Sequence, residues 1–388
     1  MALTNFANLT TEQKTVWSMD LWRQARNFSF VNRFLGNGPN AMIQHVTELK
    51  QSEKGARAVI TLLADLTGDG VAGDRTLEGN EEAMQTFDQV IRIDQLRNAN
   101  RAEGRIANQK SIAEFRGSSR DVLAYWLSDR IDQLAFLTLS GVDYKFTNRG
   151  ALRKDKPGVT ASDLQFLEFN ADIAAPSAAR RLRWDETTTH ALIASAATSA
   201  VVSTDTPSWE MFVALKAYAK EHYVRGIKEA GNEETYHAFL TPTAMQRLKN
   251  DATYMANLRY AQSRDNANPL FTGGTVKIDG IYLHEFRHVY NTSAASGATL
   301  ITGGGVVHSK WGGAGDTEGC QVLFCGAQAL GFADIGAPTW VEKEFDYENQ
   351  PSISTGKILG LLKPKFGSIY EPGTSVEDFG VITCYCAQ

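Results

Sequence analysis

The sequence has no long apolar run, no basic tract and no dispersed set of cysteines, and each absence removes a class of function. No window approaches the ~20 consecutive apolar residues that a membrane span requires. Met1 to Lys14 lacks a basic segment leading into an apolar stretch, so no export signal is expected. With 39 basic against 44 acidic residues the net charge is -5, and nothing resembles a nucleic-acid-binding arm. Cys320, Cys325, Cys384 and Cys386 all lie in the last fifth of the chain, unlike the framework of a disulfide-stapled secreted domain. A reducing cytoplasm is the expected setting for folding. Internal repeats and low-complexity tracts are also missing.

What is present is a chain of 388 residues, 43% hydrophobic, long enough for two or three domains with a substantial core. Thr10 as an N-cap, Gln13 three residues on, and Val16, Trp17, Leu21 and Trp22 at helical spacing predict a short amphipathic helix ending before Gly36-Asn37-Gly38-Pro39. With two tryptophans and little local sequence to pack against, it reads as an arm that docks elsewhere, on a neighbouring subunit.

Two strands are expected at Ala58 to Leu66 and Gln89 to Asp94. The connection between them far exceeds the usual two to five residues, and it carries Gly68, Asp69, Gly70, Gly73, Asp74, Arg75, Glu78, Asn80, Glu81 and Glu82, so it reads as a projecting loop. From Arg105 to Leu139 the spacing of Val122, Tyr125, Trp126, Leu127, Ile131, Leu134 and Thr138 predicts one long helix, wet on its outer side. Residues 142–205 show no sustained period. Thr206-Pro207 signals a second helix, Tyr236 to Leu240 a strand, and Thr243 to Lys249 a further helix. Asp279-Gly280 marks a two-residue hairpin within Val276 to Tyr290. Strands at Gln321 to Cys325, Thr339 to Phe345 and Gly380 to Cys386 complete a mixed α+β chain.

Four patterns invite a chemical reading. His284-Glu285-Phe286-Arg287-His288 matches the H-E-x-x-H zinc peptidase motif, but that motif works only on a helix, where i and i+4 share a face. The Asp-Gly turn upstream places His284 on the return strand of a hairpin instead. Asp65, Thr67, Asp69 and Gly70 echo the opening of a calcium loop, yet Thr76 stands where its bidentate Glu belongs. The four cysteines could form a thiolate zinc site if their strands meet, although C-x-C on a strand also serves as a pair of small hydrophobes. Gly303-Gly304-Gly305 lacks the lysine placement of a phosphate loop, Lys310 being too distant. No catalytic, metal or cofactor residue is therefore assigned.

The stretches Leu63 to Val71, Gly73-Asp74 and Leu77 to Glu82, together with Asp129-Arg130-Ile131-Asp132-Gln133-Leu134-Ala135-Phe136-Leu137-Thr138-Leu139-Ser140-Gly141 and Asp378-Phe379-Gly380-Val381-Ile382, resemble the N-four-like capsid family of tailed double-stranded DNA phages. The resemblance runs from about Ala41 to the C terminus. It implies the Hong Kong-type capsid fold: an N-arm at 1–40, an extended loop at 60–97 lying on an adjacent subunit, and a peripheral domain of 41–59 and 98–230 holding the 105–139 spine helix. An axial domain at 231–330 and return strands of the peripheral domain at 331–388 would follow. It further implies self-assembly as hexamers and pentamers into an icosahedral virion shell around DNA, with portal and scaffolding or decoration proteins as partners. Trp17 and Trp22 would serve the arm interface and the ten polar and glycine residues from Gly68 to Glu82 the loop interface. Some shells of this fold crosslink through a loop lysine; residues 60–97 contain none, so no such crosslink is expected to start there. Competing readings are an encapsulin-like compartment shell, separable by shell contents, and a zinc peptidase, separable by bound metal.

Overall fold

The computed structural model describes residues 11–46, 57–63, 69–82, 86–104, 106, 115–153, 163–229, 233–260, 276–295, 309–367 and 376–388. Thr10, Asp65, Thr67, Gly68 and the triple glycine at 303–305 fall outside them. The chain begins with helix α1 (Thr11–Phe28), then β1 (Leu35–Gly36), β2 (Ile43–Val46), the paired strands β3 (Arg57–Leu63) and β4 (Thr86–Arg92), β5 (Asp94–Arg101) and the long helix α2 (Phe115–Ser140). β6 (Arg181–Asp185), β7 (Ala191–Ala194), α3 (Trp209–Glu221), β8 (Ile227–Lys228), β9 (Glu234–Leu240), α4 (Pro242–Asn250) and α5 (Ala252–Tyr260) follow. The last third is nearly all strand: β10 (Val276–Ile278), β11 (Ile281–Glu285), β12 (Gly319–Cys325), β13 (Leu330–Phe345), β14 (Gln350–Leu362), β15 (Lys365–Phe366), β16 (Glu377–Asp378) and β17 (Val381–Ala387).

At 1.5 Å per residue the described part of α2 spans about 39 Å. It stops where expected, and for the expected reason. Gly141 takes a φ of +69°, which lets its N–H reach Thr138 O at 3.1 Å and the Val142 N–H reach Leu137 O at 3.0 Å, satisfying carbonyls the helix leaves open. The apolar stripe predicted for α2 fails at its start, where Val122 and Tyr125 are exposed. Leu134 to Ser140 are buried on every side, because α1, β12 and β14 all pack on this helix.

The strands form two main sheets. A five-stranded sheet runs β1-β2-β13-β14-β5, and an eight-stranded sheet runs β10-β11-β9-β12-β17-β6-β7 with β8 paired to β9. Residues 331–388 therefore divide: β13 and β14 belong to the first sheet, while β17 sits in the middle of the second, between β12 and β6. β6 and β7 come from the stretch that shows no sequence period. Their five and four residues are too short to set one; parallel pairing with β17 holds β6, and antiparallel pairing with β6 holds β7.

Several boundaries move for identifiable reasons. The second strand of the ribbon is β4 at Thr86–Arg92, in register with β3 from Arg57↔Arg92 to Leu63↔Thr86, earlier than the alternation suggested. Helix α3 starts at Trp209 rather than at Thr206-Pro207; its first N–H is received by Asp251 Oδ2 at 2.9 Å, a cap from a residue 42 positions away. Local capping starts α4 one residue before the expected Thr243: Thr241 Oγ1 accepts the Ala244 N–H at 3.2 Å and Pro242 occupies the first turn. The strand expected at Thr339 to Phe345 is the second half of a 16-residue strand, bent by a register shift between Ile335 and Thr339.

Candidate functional site

The loop between β3 and β4 is the most exposed described part of the chain. Its base is fixed: Ala58, Ile60 and Ile91 point into a small core with Val46, Ala333, Leu362, Phe366 and Phe379. Gly331 and Gly360 permit this approach. A Cβ at Gly331 would lie 2.1 Å from Ile60 Cδ1, and one at Gly360 would lie 2.3 Å from Arg92 O. Above that base Val59 and Val90, direct cross-strand partners, are 42% and 43% exposed, an apolar pair facing outward.

Of the ten loop residues singled out in sequence, nine lie within the described 69–82, and all nine are exposed; Gly68 lies outside. Gly70, Gly73 and Gly79 take φ values of +71°, +69° and +87°, which a Cβ would strain, so glycine here sets the path of the chain. The Asn80 N–H bonds to Leu77 O at 2.9 Å, Asn80 Nδ2 to Thr76 O at 2.9 Å and the Gly79 N–H to Glu81 Oε2 at 2.7 Å, closing a small turn. Leu77 is 60% exposed in that turn. Asp69, Asp74, Glu78, Glu81 and Glu82 make the loop acidic, with Arg75 the opposing charge. Sequence reasoning marked the glycines and carboxylates and passed over Leu77, Val59 and Val90, whose only signal is apolar character inside a polar or half-exposed stretch.

Trp17 and Trp22 are placed differently from expectation. Both rest on their own chain: Trp17 stacks on Trp340 of β13 with ring centroids 5.7 Å apart, and Trp22 packs beneath Lys357 Nζ at 4.1 Å. Ser18 Oγ donates to Pro338 O at the irregularity in β13, and Arg120 reaches Asp20 at 2.7 Å. The apolar face of α1 is thus consumed by α2 and β13, which supply the packing partners that the local sequence lacked. What α1 leaves exposed is another face, Val16, Met19 and Phe28.

The chemical motifs resolve on geometry. His284 lies on β11 and its Nε2 sits 2.9 Å from His237 Nδ1 on the neighbouring β9, while His288 lies in the following turn with Nε2 2.8 Å from Asp129. The two histidines of the motif thus turn to different partners, which a shared zinc does not permit. Asp279 and Gly280 take φ values of +45° and +78°, the geometry of the tight hairpin that placed His284 on a strand. Cys320, Cys384 and Cys386 share one face of the eight-stranded sheet, whereas Cys325, five residues along β12 from Cys320, faces the opposite core. Four thiolates cannot converge from both sides of a sheet. Among the described residues no group of three or more His, Cys, Asp or Glu is placed to hold a metal, and no helix is long and apolar enough to cross a membrane.

The profile of the family described as phage capsid protein matches residues 5–388. The major capsid protein of Pseudomonas phage KPP25 is 59% identical over 385 residues, covering 99% of this chain and 97% of that one. Among solved structures the capsid of Ralstonia phage GP4 superposes with a TM-score of 0.70 at 24% identity, covering 92% of this chain and 90% of that chain. The capsid of cyanophage Pam1 gives 0.66 at 16% identity, covering 100% and 96%.

Proposed function

This chain belongs to the phage capsid protein family, and from that premise we propose that its loop at 60–97 is the segment through which one subunit engages the next within hexamers and pentamers. The chain is a structural subunit of a phage capsid, part of the virion and not an enzyme, and its α+β architecture is the Hong Kong-type capsid fold. Many copies assemble into the shell. The observation that carries the loop's role is its pairing of a rigid base with an exposed tip. The base is locked into the subunit's own core at Ile60 and Ile91, and the tip offers exposed Leu77, carboxylates and glycine-shaped backbone.

The peripheral part of the subunit would be residues 41–59, 98–230 and 331–388, holding α2 and α3, and the axial part residues 231–330, holding α4 and α5. The closed shell would enclose double-stranded DNA without gripping it, a role that a net charge of -5 suits, since tight phosphate binding would oppose packing and release. Portal and scaffolding or decoration proteins would complete the particle. Modest contacts repeated over a symmetric shell give large total stability and steep concentration dependence. The test is deletion of Gly68 to Glu82, followed by negative-stain electron microscopy and sedimentation velocity. A folded subunit that no longer closes shells is the expected result. Normal shells from the deleted chain would remove the loop from this role.

A further inference from the structure

A polar groove of about 810 Å³ opens between α2, the 147–153 turn and the residues that follow β11. Four guanidiniums line it, from Arg130, Arg149, Arg153 and Arg287, against the carboxylates of Asp129 and Glu318. Both carboxylates are already engaged. Asp129 accepts from Arg287 at 2.9 Å and faces His288 at 2.8 Å, and Glu318 pairs with Lys310 at 3.0 Å. Arg130 donates to Gln133 Oε1 at 2.6 Å, and Arg149, which is exposed, donates to Ser293 Oγ at 3.1 Å, so these two are bonded to neutral oxygens and retain their full charge for an incoming anion.

A second feature points the same way. Asn148 lines the groove and is 4% exposed. Its Nδ2 donates to Gln133 O at 3.2 Å and His288 O at 2.6 Å, which fixes the orientation of the amide. Its Oδ1 is buried and has no partner among the described residues. A buried acceptor left open is costly unless something donates to it. The groove thus asks for a ligand with several carboxylates and at least one N–H donor.

We propose that this groove receives the acidic tip of the loop, residues 69–82, from a neighbouring copy of the chain, with carboxylates against Arg130 and Arg149 and a backbone or Arg75 N–H on Asn148 Oδ1. The tip carries five carboxylates and one guanidinium on an exposed, glycine-shaped backbone, the charge complement of the groove. The proposal rests on the loop being an inter-subunit segment and adds the surface that accepts it.

The test uses full-length chains. Arg130→Glu with Arg149→Glu reverses the groove, and Glu78→Lys with Glu81→Lys and Glu82→Lys reverses the tip. Each set alone is expected to lower the yield of closed shells at least tenfold, and the two sets in one chain to recover most of it. In parallel, Arg149→Lys, which keeps the charge and the fold, is treated in assembled shells with a zero-length carboxyl–amine coupling reagent. A crosslinked peptide joining residue 149 to 69–82 is expected from shells and not from dissociated subunits. Wild-type shell yield from the groove reversal, no recovery in the combined chain, or no such crosslink would overturn the proposal. Shells that close normally and hold less DNA would overturn it in favour of a nucleic-acid surface. In each of these cases the loop deletion still reports on the loop's role independently.

Discussion

The Asp132 carboxylate, on the buried middle of α2, accepts the hydroxyl of Ser29 at 2.7 Å, tying the end of α1 to the long helix across 103 residues of sequence. The same carboxylate accepts the N–H of Phe30 at 2.9 Å and of Val31 at 3.1 Å. It therefore serves the turn where the arm leaves its helix, and two of its three donors are buried. Burial pushes the Asp132 carboxyl up, while the three bonds pull it back.

Removing that carboxylate strands two buried donors, on Ser29 and Val31, and the half-buried Phe30 N–H. Asp132→Ala is expected to cost roughly 3 kcal/mol, within the usual range for buried bonds to a charged group. Denaturant unfolding followed by tryptophan fluorescence measures it. Trp17 should report an early loss of its stack on Trp340, and an unchanged transition would show that the latch contributes nothing.

The His237–His284 pair gives the fold an acid sensitivity. Burial depresses both imidazoles from 6.5 to about 4, with Arg33 and the partner imidazole adding to the effect on His284 and Glu229 opposing it on His237. The folded chain holds both neutral, so between about pH 6.5 and 4 the unfolded chain binds more protons and stability falls as pH falls. Calorimetry across that range should show a declining midpoint. In His237→Phe with His284→Phe, where Phe34 and Phe239 already form an aromatic surround, the decline should be shallower.

Gly360→Ala would place a Cβ 2.3 Å from Arg92 O and 2.9 Å from Ile91 Cγ2. Backbone is the obstacle, so the ribbon must shift. A loss of about 1–3 kcal/mol is expected, as for overpacked cores, with faster hydrogen exchange in β3 and β4 than in β17. Equal protection in variant and parent would mean that the base of the loop does not depend on this approach.

All four cysteines are buried, and burial holds the thiols of Cys325, Cys384 and Cys386 well above the ordinary range. The thiolate is the reactive species. Native subunits at pH 8 should resist iodoacetamide at every cysteine, and denatured subunits should take up four labels by mass spectrometry. Labelling of the native chain would contradict the burial of β12 and β17.

The sequence by itself determined what short-range chemistry encodes. Asp279-Gly280 specified a tight turn because both residues must take positive φ, Thr241 and Pro242 specified a helix start, and Ser140-Gly141 specified the end of α2. The glycine and carboxylate pattern of 68–82 marked an exposed loop. The odd spacing of Cys320 and Cys325 already placed them on opposite faces of a strand, a signal present in the sequence and left unread. Tertiary structure alone decided that α1 lies on its own chain, that Asp251 caps α3, that β17 joins β12 and β6, and that arginines from two distant segments meet in one groove. These choices rest on contacts between residues tens to hundreds of positions apart. Periodicity and turn residues report only on neighbours along the chain; which apolar face meets which is settled by burial and hydrogen-bond satisfaction over the whole molecule.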